Sequence, residues 1–116
     1  MEKTRTIYTF TTRKELADFV KSNKYVIVKT SATWCGPCKT VKPHVNKWLE
    51  VLPEEIKVVF IDADKGGDIL RALKWHSLPT IGNFIDGYPM DIVVGANIEA
   101  YNGFFRKTIA RTQENN

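Results

Sequence analysis

The feature that most constrains this chain is its only pair of cysteines, which stands where a strand pattern gives way to a helix pattern. Before the pair, Val26-Ile27-Val28 is a short β-branched run, typical of a strand buried on both faces. After the pair, apolar residues recur at helical spacing, at Val41, Val45, Trp48, Leu49 and Leu52. The pattern therefore predicts a strand-to-helix turn, with Cys35 near the first helical position and Cys38 one turn later.

This placement has chemical consequences for both sulfurs. The first N–H groups of a helix lack partners and carry partial positive charge, so a thiolate at Cys35 would be stabilised. Side chains three positions apart on a helix are neighbours, so Cys35 and Cys38 can close a disulfide. Gly36 permits close backbone approach, and Pro37 stiffens the loop. The pattern favours a redox dithiol, in which the first sulfur attacks a partner and the second resolves the adduct.

Three other interpretations of the two cysteines stay open at this point: a zinc site, a structural disulfide and an unreactive pair. A closed zinc site needs about four ligands. Only His44 and His76 could join the cysteines, and their spacing matches no compact finger. A disulfide ring this small constrains the unfolded chain little. We therefore expect redox chemistry and no metal.

Strand and helix patterns alternate along the chain. We expect strands over residues 7–10, 25–31, 57–61, 80–85 and 91–94. We expect helices over residues 13–22, 35–52, 68–75 and from 98 onward, with a capping box at Thr12 and a cap at Asn97. Asp86-Gly87 signals a hairpin between the last two strands. This order predicts an α/β fold in which the first strands pair in parallel and the hairpin closes one side.

The stretch from Ser31 to Lys39, Ser-Ala-Thr-Trp-Cys-Gly-Pro-Cys-Lys, resembles the active-site segment of thioredoxins. Leu78-Pro79-Thr80 resembles the cis-proline segment of that family, and Val94-Gly95-Ala96 resembles its late glycine segment. The resemblance implies the thioredoxin fold, a mixed central β-sheet flanked by helices on both faces. It also implies a single domain over residues 1–111, and we expect a frayed tail over residues 112–116.

The resemblance also implies an activity. It indicates a protein thiol–disulfide oxidoreductase that reduces partner disulfides, with Cys35 as nucleophile and Cys38 as resolving thiol. No cofactor is expected, because the electrons travel in the thiols, and a flavoprotein similar to thioredoxin reductase would restore the dithiol. Two rival interpretations are a disulfide oxidase or isomerase with the same site, and a thioredoxin-like binding subunit without turnover.

The resemblance extends to the residues that would hold the partner. We expect the substrate-binding positions to be Trp34, Gly36, Pro37, Leu78, Pro79 and Gly95. A cis bond at Pro79 would leave the Leu78 N–H and C=O free to pair with a substrate strand.

Lys29 departs from the family pattern, because thioredoxins usually carry a buried aspartate there. Lys29 shares a face with Ile27, so we expect it to point under the helix that bears Cys38. Burial lowers the pKa of an ammonium group. A neutral amine could act as a base, whereas a charged one would stabilise a Cys38 thiolate and make the protein more oxidising. The alternative is that the flexible stem of Lys29 reaches water and the amine does neither.

Composition limits the remaining possibilities. With 116 residues and 43% hydrophobic content, the chain suits one globular domain. No apolar run approaches the about 18 residues of a membrane span, and the first residues lack an apolar signal core. The net charge of +4 is scattered, without an arginine-rich block, so we expect no nucleic-acid partner. The prediction is therefore a cytoplasmic monomer with no membrane attachment.

Overall fold

The chain is built on a five-stranded sheet in the computed structural model, which describes residues 5–114. The strands are β1 (Ile7–Thr9), β2 (Tyr25–Ser31), β3 (Ile56–Asp62), β4 (Thr80–Ile85) and β5 (Tyr88–Val94). The helices are α1 (Arg13–Ser22), α2 (Gly36–Val51), α3 (Gly67–Leu73) and α4 (Ile98–Thr112). The predicted order of strands and helices is confirmed.

The strand that precedes the cysteines lies in the middle of the sheet. The spatial order is β1-β3-β2-β4-β5, with β3 parallel to both β1 and β2. Strands β4 and β5 are antiparallel to their neighbours. The sheet is therefore mixed, as predicted, because parallel pairs are joined by helical crossovers and the last pair by a hairpin.

The two faces of the sheet are covered by different helices because side chains alternate along β2. Ile27 packs in an apolar cluster with buried residues of α2 and α4. Val28 packs in a second cluster with buried residues of α1 and α3. Val26, Ile27 and Val28 are all fully buried, which confirms the prediction of a strand covered on both faces. This central strand sets the position of the cysteines that follow it.

Local sequence signals account for two of the connections. Thr12 Oγ1 accepts a hydrogen bond from the Glu15 N–H, and the Glu15 carboxylate accepts one from the Thr12 N–H, so the predicted capping box is confirmed. The β4–β5 loop has only two residues, Asp86 and Gly87, with φ of 53° and 84°. Two successive left-handed residues are what a two-residue hairpin loop of this kind requires.

Strand β5 begins at Tyr88, three residues before the predicted start. The register pairs Gly82 with Ile92 but Phe84 with Pro89, so two residues of β5 stand opposite one residue of β4. This bulge breaks the alternation of side chains by which a strand is recognised from sequence. The first half of β5 was not predicted for this reason.

The last helix ends at Thr112, the first residue of the segment expected to be frayed. Residues 1–4 and 115–116 lie outside the described residues. Of the expected tail, the structure therefore describes Thr112, which is helical, and residues 113 and 114, which form a turn. Among the helices over residues 5–114, none has the length and apolar character needed to cross a bilayer.

A polar network joins α4 to the β4–β5 hairpin. The buried Asn83 amide donates hydrogen bonds to Asp91 Oδ2 at 2.9 Å and to Thr108 Oγ1 at 2.8 Å. The Arg111 guanidinium donates to both Asp91 oxygens, at 2.6 and 2.9 Å. A bidentate pair of this kind combines charge with fixed geometry. The network therefore fixes helix α4 against the strand that leads to the Val94–Ala96 loop.

The network predicts an acid-dependent stability. Hydrogen bonds from Arg111 and then from Asn83 lower the pKa of the Asp91 carboxyl in the folded protein. The stabilisation is therefore present above the unfolded pKa of about 3.9, and is lost as the pH falls through it towards the folded value. We expect Asp91→Asn to lower the free energy of unfolding near neutral pH by about 1–3 kcal/mol.

Urea unfolding over a pH series would measure this effect. The Asp91→Asn protein should lose less stability than wild type on acidification below about pH 5. The control is Asp86→Asn in the exposed hairpin turn, which should keep the wild-type acid dependence. An Asp91→Asn protein with the wild-type acid dependence would contradict the assignment.

Candidate active site

The two cysteines form a disulfide at the start of α2. Cys35 is the N-cap of the helix, one position before the first helical residue, and its Cα lies 5.3 Å from that of Cys38. The Cys38 N–H donates a hydrogen bond to Cys35 Sγ at 3.2 Å. The predicted strand–turn–helix placement is confirmed, and the Cys35 sulfur lies where a helix N-terminus favours negative charge.

The local sequence explains why the helix begins here. The Cys35 N–H donates to the Ala32 carbonyl at 3.1 Å and closes a turn directly after β2. Gly36 and Pro37 then form the first two helical positions. Proline is tolerated there because the first N–H groups of a helix have no partner inside it. Both cysteines are largely buried, with 5% and 4% of their surface exposed.

The structure separates the two histidines that could have joined a zinc site. His76 lines a cleft beside Cys35, whereas His44 lies further along α2. Over residues 5–114 no three His, Cys, Asp or Glu side chains are grouped so that they could hold a metal ion.

A cleft of about 520 Å³ opens on one side of the disulfide. It brings together four of the six predicted substrate-binding residues, Trp34, Gly36, Pro37 and Leu78, with Cys35 at its wall. Trp34 is 67% exposed and lies at the surface beside Cys35.

The other two predicted residues, Pro79 and Gly95, lie in adjacent loops. The Leu78–Pro79 bond is cis, as the resemblance implied. The Pro79 carbonyl accepts a hydrogen bond from the Gly95 N–H at 2.8 Å. Gly95 has a φ of +97°, a conformation that favours glycine. Pro79 itself lines a second cavity together with Cys38.

Three residues of this site were not predicted. Trp75 and His76 line the cleft beside Cys35. The Asp64 carboxylate accepts a hydrogen bond from the Trp34 indole N–H, with distances of 2.9 and 3.1 Å to its two oxygens. The available signal for Trp75 and His76 was their position just before the Leu78-Pro79 segment.

Lys29 lies behind the disulfide. A cavity of about 590 Å³ is lined by Cys38, Lys29 and Lys42, among other residues. The Lys29 amine lies 4.7 Å from the centre of the Phe60 ring. Burial lowers the pKa of Lys29, and the like charge of Lys42 lowers it further. The half-buried Lys29 side chain therefore shares this cavity with Cys38.

A family model, curated relatives and solved structures all match this chain to thioredoxins. The thioredoxin family model matches residues 7–106. Thioredoxin-2 of Pyricularia oryzae is 37% identical over 92 residues, which cover 79% of this chain and 53% of that protein. Thioredoxin of Coprinus comatus is 34% identical over 98 residues, which cover 83% of this chain and 92% of that protein.

A solved structure agrees with these matches. The oxidised mitochondrial thioredoxin 3 of Saccharomyces cerevisiae has a TM-score of 0.79 and 30% identity, covering 87% of this chain and 94% of that one. The mixed sheet and the cysteine pair at a helix start define a dithiol–disulfide protein. The chain belongs to the thioredoxin family. It spans about half the length of the Pyricularia relative.

The Trp34–Asp64 bond predicts a local spectroscopic change. In Asp64→Ala, the Trp34 indole N–H loses its acceptor, so its NMR resonance should move upfield and exchange faster with water. The Trp48 indole donates to Asn102 at 2.9 Å and provides an internal control that should not move. An unchanged Trp34 resonance would show that this bond does not hold the ring in solution.

Proposed function

We propose that this protein reduces disulfide bonds in partner proteins through Cys35 and Cys38. The observation that carries the proposal is the cap geometry, in which the Cys38 N–H already points at the Cys35 sulfur. A thiolate formed at Cys35 on reduction would receive that hydrogen bond and the favourable end of the helix dipole. The buried Cys38 stands one turn away, where it can reach the same sulfur.

The proposed reaction proceeds in two exchanges. The Cys35 thiolate attacks one sulfur of the partner disulfide, whose S–S bond breaks, and the second partner sulfur leaves as a thiolate. The Cys38 thiolate then attacks Cys35 in the mixed disulfide and releases the first partner sulfur. Two electrons have passed to the partner, and the Cys35–Cys38 disulfide remains.

The partner would be held across the cleft. Trp34, Gly36 and Pro37 line the cleft together with Cys35, and Leu78 lines the same cleft. We propose that the Leu78 backbone pairs with an extended segment of the partner, as in strand addition. Gly95 and Pro79, joined by their hydrogen bond, would form the floor of that contact.

The proposed cycle needs an external electron donor and a reducing environment. The donor would be a flavoprotein similar to thioredoxin reductase, since this chain's own redox groups are its two thiols. We propose that the protein acts as a monomer in the cytoplasm, where thiols are kept reduced.

Single serine variants test the reaction order. With insulin as the disulfide substrate, Cys35→Ser should lose all turnover because no attacking thiolate remains. Cys38→Ser should also lose turnover, but it should accumulate a mixed disulfide through Cys35 that is visible on a non-reducing gel. A mixed disulfide in Cys35→Ser but not in Cys38→Ser would reverse the roles. Full biological function without either cysteine would favour a binding subunit.

We propose that Lys29 modulates the second exchange. In its deprotonated form the Lys29 amine would take the proton of the Cys38 thiol across the cavity that they share, and burial shifts the pKa of Lys29 downward, towards that form. The amine can accept a proton only after losing its own, so the rate of resolution should rise with pH through the Lys29 pKa. Within residues 5–114, Lys29 forms no ion pair that would hold it charged.

Lys29→Met should therefore slow the resolution of a preformed mixed disulfide, by about 10²-fold, and remove the lysine-dependent part of its pH profile. Lys47→Met is the control, because Lys47 is an exposed lysine of α2, the helix that bears Cys38. Stopped-flow measurement over a pH series would record both. An unchanged resolution rate together with an unchanged titration of Cys38 in Lys29→Met would exclude a direct role.

A further inference from the structure

The cavity that holds the resolving cysteine is lined by more lysines than acidic residues. Lys29 of β2 lines it together with Lys39 and Lys42 of α2. Asp62, the last residue of β3, is the one acidic residue among the described residues that line the cavity. One oxygen of that carboxylate already accepts a hydrogen bond from the Asp64 N–H at 2.9 Å. The cavity therefore has an excess of basic groups over carboxylates.

The lysines of this cavity have no carboxylate partner. Within the described part of the chain, Lys29, Lys39 and Lys42 form no ion pair. The Lys29 amine lies 4.7 Å from the centre of the Phe60 ring, and this cation–π contact leaves its N–H donors without an oxygen acceptor. The charge of Lys42 acts on Lys29 and lowers its pKa. An anion placed between these two lysines would be attracted by both.

The inner part of the cavity is apolar. Val41, Val45 and Tyr101 line it and are almost completely buried. Lys39 and Lys42 are exposed, so the charged side chains lie at the opening of the cavity and the apolar ones at its inner end. The volume of about 590 Å³ falls within the range of about 300–1,000 Å³ that is usual for sites of small molecules.

We infer that this cavity binds an organic anion, a carboxylate carried on a short apolar chain. The carboxylate would lie between Lys29 and Lys42, and the chain would pack against Val41 and Val45. The bound anion would offset the charge of Lys42 and would favour the charged form of Lys29. Among the described residues, the site shares no lining residue with the cleft beside Cys35, so it is separate from the surface proposed to hold a protein substrate.

Isothermal titration calorimetry of the oxidised protein would test this inference with octanoate as the probe. Octanoate should bind at least about tenfold more tightly than acetate, which lacks the chain, or 1-octanol, which lacks the charge. Lys29→Met and Lys42→Met should each weaken octanoate binding by about tenfold, because each removes a charged donor. Lys42 is exposed, so its substitution tests the site even if Lys29→Met alters folding. Lys47→Met is the control and should keep the wild-type affinity, because Lys47 is an exposed lysine of α2 outside the cavity.

Several results would overturn the inference. These are no binding of octanoate to wild type, equal binding of 1-octanol, and an unchanged affinity in Lys42→Met. A second apolar groove lies between α1 and α3 and is lined by Val20, Lys21 and Phe84, among other residues. Loss of binding in Lys21→Met with wild-type affinity in Lys42→Met would assign octanoate to that groove and would also overturn the inference.

The binding measurement does not depend on the proposed function. Both cysteines of the chain are joined in the oxidised protein, so no free thiol is present during the titration. Octanoate binding as expected, together with failure of the reduced protein to reduce insulin, would overturn the proposed function alone.

Discussion

The proposed chemistry of this protein depends on one contact, the hydrogen bond from the Cys38 N–H to the Cys35 sulfur. It exists because helix α2 begins at the residue after Cys35, so an unpaired backbone donor faces the sulfur. That starting point depends in turn on β2, whose buried residues fix the strand in the middle of the sheet. The core therefore determines the geometry of the redox site. The sheet sets the position of helix α2, and the N-terminus of that helix favours negative charge on the Cys35 sulfur.

The two cysteines of the disulfide face two cavities of different character. On the side of Cys35, an aromatic cleft is suited to a partner polypeptide. On the side of Cys38, a cavity is lined by lysines and apolar side chains, and the proposed proton transfer would take place there. The two exchanges of the proposed reaction need these properties in this order, since the first sulfur must meet a partner and the second must lose a proton. Lys29 lies on the side of Cys38, where burial and the charge of Lys42 lower its pKa.

The features that could be predicted from the sequence are those that local rules determine. The capping box at Thr12, the cap at Asn97 and the cysteine turn follow from patterns a few residues long. The missed features depend on contacts between distant segments. The Asn83–Asp91 bond across the bulge could not be predicted because the register is set by packing of the whole sheet. The position of Trp75 in the cleft depends on Gly82, a residue of strand β4 that leaves room for the indole ring.

The reduction potential of the Cys35–Cys38 pair, measured by equilibration in defined thiol–disulfide buffers, tests the central claim most directly. An electron donor to protein disulfides should have a potential near about −270 mV, the value typical of thioredoxins. A charged Lys29 beside Cys38 would stabilise the reduced dithiol and would move the potential to less negative values. A potential between about −180 and −120 mV would contradict the account and place the protein with isomerases and oxidases.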